Sequence, residues 1–203
     1  CPSLELARKD ARNTQAYVDV FRRHDVRVVN MSFGGSVGDV EGQLEQCGIG
    51  ANAEERRKIA REYFDIGKLA MQRAFASAPE ILFVAAAGNE NADSTFAESI
   101  PADIVLPNLI TVGAVDKAGD EAPFTSYGKT VVVHANGYLV ESVIPGGERL
   151  AESGTSMSAP QVTNLAAKIL AVNPALAPPQ VIAIIRETAE KTPDGRRTLV
   201  HPQ

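Results

Sequence analysis

Ile81-Leu82-Phe83-Val84-Ala85-Ala86-Ala87 running into Gly88-Asn89-Glu90-Asn91 is the stretch on which the fold turns. Seven consecutive apolar residues ending in a glycine-asparagine turn read as a strand buried on both faces that enters a tight loop. Two similar segments lie on either side of it. Val26-Arg27-Val28-Val29-Asn30-Met31-Ser32 leads into Phe33-Gly34-Gly35, and Leu109-Ile110-Thr111-Val112-Gly113-Ala114-Val115 follows a proline-bounded loop. Between these strands the apolar period becomes helical. Residues 4–24 carry Leu4, Ala7, Ala11, Ala16, Val20 and Phe21, with an interruption near Asn13-Thr14 where a second helix would be capped. Asn52, with Glu55 three residues on, opens a helix to about residue 78 with Ile59, Tyr63, Ile66 and Ala70 on one stripe. Alternation of strand and helix predicts an α/β fold, a largely parallel sheet with helices packed on it.

The remaining segments fit the same plan. Residues 36–50 read as a glycine-rich loop, so a loop and helix at about 36–78 are an insertion between the first two strands; its helix reads as a crossover, and a flap over a substrate is the functional alternative. Asn136-Gly137 and Pro145-Gly146-Gly147 mark turns between short strands, including a hairpin. A helix over 156–172 is broken at Asn173-Pro174. Pro178-Pro179 open a last one, over 180–190, with Val181, Ile184 and Ile185 facing inward. The 203 residues are expected to form one domain, or part of one.

Composition excludes several classes. A net charge of −5 with interspersed basic residues argues against nucleic acid. No apolar run has the length of a membrane span, and neither a signal peptide nor an anchor is visible. Cys1 and Cys47 make no zinc-ligand spacing; a bridge between them is the alternative to two free thiols, and free thiols are the expectation.

Chemistry concentrates at Gly154-Thr155-Ser156-Met157-Ser158-Ala159-Pro160. A glycine-threonine turn delivers Ser156 to the start of an alanine-rich helix, where backbone N–H groups are unpaired and the helix dipole is positive. The seven residues resemble the nucleophile motif of the subtilisin-like serine peptidases. The resemblance selects Ser156 over Ser153 and Ser158. It extends to Ala85-Ala86-Ala87-Gly88-Asn89-Glu90, where it implies that the Asn89 amide, with the Ser156 N–H, holds the oxyanion. Met31-Ser32-Phe33-Gly34-Gly35 is similar to the segment on which these peptidases lay substrate backbone as an added strand. That implies substrate contacts at Ser32, Phe33 and Gly34, with Ala86, Ala87 and Gly88 beside the pocket for the residue at the cleaved bond. Ile100-Pro101 matches a position that is commonly cis in the family. Asp93, Glu98 and Asp103 are available to calcium but form no recognisable ligand loop, so no cofactor is expected.

The resemblance covers residues 26–189 in the family's order, but the motifs that carry the catalytic Asp and His lie on the N-terminal side of Met31, and this sequence has neither. His24, His134 and His201 lack the small-residue surroundings of a catalytic histidine. The sequence therefore reads as the C-terminal portion of a subtilisin-like catalytic domain, without its N-terminal strands and nearly inactive alone. Its partners would be a polypeptide substrate and the N-terminal part of the same domain, and the family implies a secreted or periplasmic location. The competing reading is a non-catalytic peptide-binding or structural module that keeps the cleft. An α/β-hydrolase elbow is disfavoured because the motif lacks its second glycine, and Gly34-Gly35-Ser36-Val37-Gly38 lacks the lysine of a phosphate loop.

Overall fold

The computed structural model describes residues 1–193 and 195–199. In chain order the elements are α1 (Leu4–Arg23), β1 (Val28–Met31), β2 (Gly35–Ser36), α2 (Val37–Gln46), α3 (Ala53–Ala76), β3 (Leu82–Ala86), α4 (Ser94–Ala97) and β4 (Ser99–Ile100). They continue through β5 (Leu109–Val115), β6 (Val131–Asn136), β7 (Val140–Val143), β8 (Arg149–Glu152), α5 (Thr155–Val172), α6 (Pro178–Thr188), β9 (Glu190–Lys191) and β10 (Arg197–Thr198).

The main sheet has the order β1-β3-β5-β6-β10-β9, parallel except where β10 meets β9. The apolar runs behave as strands covered on both sides. In β3, Leu82, Val84 and Ala86 face Ala159, Val162, Ala166, Val181 and Ile185 of α5 and α6. The alternate residues Phe83 and Ala85 pack with Ile81 against Val18 of α1 and Ala74 and Phe75 of α3. Period-two alternation thus splits one apolar run between two cores, which gives three layers. Among the described residues β1 is paired only by β3, so its other edge is open.

Three expectations need correction. Residues 37–46 are helix, not loop: Ser36 caps α2 by accepting from the Asp39 N–H, and Asp39 accepts from the Ser36 N–H in return. Val40 and Leu44, one turn apart, then bury against Ala60. α1 is one uninterrupted helix, because the Thr14 hydroxyl donates to the Asp10 carbonyl instead of capping a new start. The two cysteines are bridged. α1 packs on α3 and α3 on α2, which brings the start of α1 to the C-cap of α2, with Cys1 and Cys47 at a Cα separation of 5.9 Å.

Candidate active site

Ser156 stands at the N-terminus of α5, where the central strands end and their loops gather. Three backbone donors flanking it or in its own turn are engaged. The Gly154 N–H donates to the Gly137 carbonyl, the Thr155 N–H to Asn89 Oδ1 at 2.9 Å, and the Met157 N–H to the Gly154 carbonyl. The Ser156 N–H has no acceptor among the described residues. A donor left free at a helix N-terminus is a ready site for a negatively charged oxygen.

Asn89 is fixed beside it through its oxygen. Asn89 Oδ1 accepts from both the N–H and the hydroxyl of Thr155, the latter at 3.0 Å, and Thr155 Oγ1 in turn accepts from the Gly88 N–H at 3.1 Å. Thr155 is almost fully buried. With its oxygen tied down, the Asn89 amide must turn its NH2 the other way. A Cβ at Gly154 would stand 3.3 Å from Asn89 Nδ2, so glycine there lets the amide approach the helix start. Gly88 has φ +105°, the left-handed region that suits glycine, and it turns the chain from β3 toward Asn89.

Ser32 locks the helix from the other side. Proline has no N–H, so Pro160 inside α5 leaves the Ser156 carbonyl without its usual partner four residues on. The Ser32 hydroxyl donates to that carbonyl at 2.8 Å while accepting from Asn30 Nδ2 at 2.9 Å. The Ser156 hydroxyl donates weakly to the Ser32 carbonyl at 3.4 Å. The competing serines are otherwise engaged: Ser158 is fully buried and donates to the Ala135 carbonyl, and Ser153 accepts from the Leu139 N–H in the arm leading to the β7–β8 hairpin.

A cleft of about 130 Å³ opens against Ser156, lined by Phe33, Gly34, Gly35, Ala86, Gly88 and Asn89 together with Asp39, Glu90, Ser99 and Thr155. Phe33 is 55% exposed and is no core aromatic. Ser32 reaches Ser156 through the bonds above but is not in the lining. Ala87 is buried, its N–H bonded to Val112 within the sheet, and Ala85 packs in the core with Phe83; neither faces the cleft. The roles of Thr155, Asp39 and Glu90 escaped the sequence reading, although Thr155 and Glu90 adjoin the two motif residues.

The wall behind Ser99 is polar. β4 pairs antiparallel with β2, the Ile100–Pro101 peptide bond is cis, and the Ser99 N–H donates to Asp103 Oδ2 at 2.6 Å. Burial pushes the Asp103 carboxyl above the ordinary carboxylate range, with the Ser99 N–H acting in the opposite direction. Arg61 pairs with Glu98 and holds that carboxyl below the usual range.

Two histidines stand elsewhere. His24 is the C-cap of α1, and His134 is buried in β6 opposite Gly113; neither lines the cleft of Ser156. His201 lies outside the described residues. Among the described residues no cluster of three or more His, Cys, Asp or Glu could hold a metal ion, and no helix is long and apolar enough to cross a membrane.

A serine at a helix N-terminus, a free N–H and an anchored amide thus stand together at the end of the parallel sheet of an α/β protein. The chain belongs to the subtilase family, whose model matches residues 5–201. It is similar to a subtilisin of Bacillus pumilus, 41% identical over 110 residues that make up 54% of this chain and 39% of that protein. Alkaline elastase YaB of Bacillus sp. (strain YaB) is 34% identical over 125 residues, 61% of this chain and 32% of that protein. The matched stretches thus cover well under half of these relatives' own lengths. The fold resembles that of a cold adapted subtilisin-like serine proteinase with a TM-score of 0.63 at 24% identity, over 93% of this chain and 60% of that one.

Proposed function

We propose that this chain is the nucleophile-bearing portion of a subtilisin-like serine endopeptidase. The observation that carries the reading is the meeting of three groups at one cleft: the Ser156 hydroxyl, the unpaired Ser156 N–H and the Asn89 amide, whose oxygen is tied to Thr155. Substrate backbone would lie along Ser32, Phe33 and Gly34. Ser156 Oγ attacks the scissile carbonyl, and the carbonyl oxygen, becoming an oxyanion, is received by the Ser156 N–H and Asn89 Nδ2. The proton on Ser156 needs a base, and neither described histidine is placed to take it. That base and the aspartate orienting it are assigned to the N-terminal part of the same domain, so the 203-residue chain alone is expected to be nearly inactive.

The open edge of β1 is where that part would add. Beside it runs an apolar groove of about 380 Å³, lined in part by Val29, Met31, Phe33, Tyr17 and Phe21. A disulfide is at home in an oxidising compartment, in keeping with a secreted or periplasmic parent. A purely peptide-binding module is the weaker reading, since such a module has no use for a nucleophile and an oxyanion donor held together.

A serine-directed fluorophosphonate tests this. The complete parent should label rapidly, Ser156→Ala should abolish labelling, and the 203-residue chain should label very slowly. Rapid labelling of the chain alone would overturn the assignment of the base to another part, and failure of the parent to label would overturn the peptidase reading.

A further inference from the structure

We propose that the cleft beside Ser156 selects a cationic side chain, lysine or arginine, for the substrate residue that donates the cleaved carbonyl; this rests on the peptide-cleft reading above. The cleft carries two carboxylates, Asp39 and Glu90, and no basic residue in its lining. Neither carboxylate belongs to an ion pair among the described residues. The neighbouring Glu98 is neutralised by Arg61 and is not part of the lining.

Each carboxylate is held by one oxygen and leaves the other open. Asp39 Oδ2 accepts from both the N–H and the hydroxyl of Ser36, at 2.7 and 2.8 Å, which fixes the carboxylate in the first turn of α2. Glu90 Oε2 accepts from the Ser126 hydroxyl at 3.2 Å and stands 2.5 Å from where a Cβ on Gly88 would be. The Glu90 carboxylate is therefore folded back over the Gly88 turn, against the wall of the cleft. Asp39 Oδ1 and Glu90 Oε1 have no protein donor among the described residues.

The walls suit a long stem. Gly34, Gly35, Ala86 and Gly88 present little or no side chain, and a Cβ at Gly34 would stand 3.2 Å from the Ile100 carbonyl, so glycine there lets this wall lie close to β4. An aliphatic stem lying between these walls with its cationic head at Asp39 or Glu90 uses both properties of lysine and arginine. A neutral side chain would leave two negative groups facing it, and an acidic one would be repelled. Both carboxylates remain reachable by solvent, so each contributes on the scale of an exposed ion pair.

Equilibrium binding tests this without any need for turnover. The 203-residue chain would be titrated calorimetrically with succinyl-Ala-Ala-Pro-X peptides bearing a free carboxylate, X being arginine, citrulline, norleucine or glutamate. The arginine peptide should bind about fivefold to tenfold more tightly than the citrulline peptide, which has nearly its shape but no charge, and the glutamate peptide should bind most weakly. Glu90→Gln and Asp39→Asn should each reduce the arginine-to-citrulline ratio, and the double variant should bring it near one. Glu187→Gln, which makes the same change in net charge on α6, should leave the ratio intact. Equal binding of arginine and citrulline, or tightest binding of norleucine, would overturn the cationic preference and leave the peptide cleft standing. No binding of any of the four peptides would overturn the peptide-cleft reading itself, and the preference with it.

Discussion

Thr155 is the residue on which the geometry around Ser156 most depends. Its hydroxyl stands between the Gly88 N–H and Asn89 Oδ1, and so joins the loop after β3 to the first turn of α5. Thr155→Val keeps the shape and the backbone bond to Asn89 but removes the hydroxyl, leaving the amide held by one bond. On the reading proposed here, fluorophosphonate labelling of the complete parent should slow by roughly tenfold to a hundredfold, the scale of a small displacement at a reacting centre. Stopped-flow labelling measures it, and an unchanged thermal midpoint would separate misplacement from unfolding. Ser156 and Asn89 were legible because each sits in a dense local motif. Thr155 was not, because its partners are 66 and 67 residues away in sequence.

The elements divide in the same way. β3 and β5 were readable because both faces of each are buried, which demands an unbroken apolar run, and β5 was expected at its observed bounds, Leu109–Val115. α2 was hidden by Gly38 and Gly42, which made a ten-residue helix look like a loop. The signal that would have found it is Ser36 three residues before Asp39, followed by Val40 and Leu44 on one face. The Cys1–Cys47 bond had no sequence signal, since it follows from how α1, α3 and α2 pack. Closing 46 residues of chain, it should contribute about 4 kcal/mol by loop entropy, and somewhat less where the reduced chain stays compact. Urea unfolding of the Cys1→Ser, Cys47→Ser double variant should show a loss of about 2–4 kcal/mol, and an unchanged midpoint would mean that packing of α2 alone holds that corner.

At the level of the whole molecule, one pH response comes from the half-buried carboxyl of Asp103, next to the cleft. Burial raises the Asp103 pKa in the folded chain. Below the ordinary carboxylate range both states are protonated and Asp103 costs nothing. As pH rises the unfolded chain ionises first, so stability falls until the folded group ionises as well. Asp103→Asn cannot ionise, and its amide oxygen can still accept from the Ser99 N–H. The variant should therefore match the parent sequence near pH 3 and melt at a higher temperature near pH 7. Thermal midpoints across that range are the measurement, and a difference that shrinks with rising pH would reverse the assignment.

The disulfide has one more consequence, for survival among proteases. The ring it closes, residues 1–47, contains α1, β1, β2, α2 and the whole Ser32–Gly34 segment beside Ser156. A single cut inside that ring sheds nothing: both ends stay joined through sulfur, and the nicked strand remains in its place in the sheet. In a family of enzymes that cut polypeptides, a nick in this ring leaves the Ser32–Gly34 segment tethered beside Ser156.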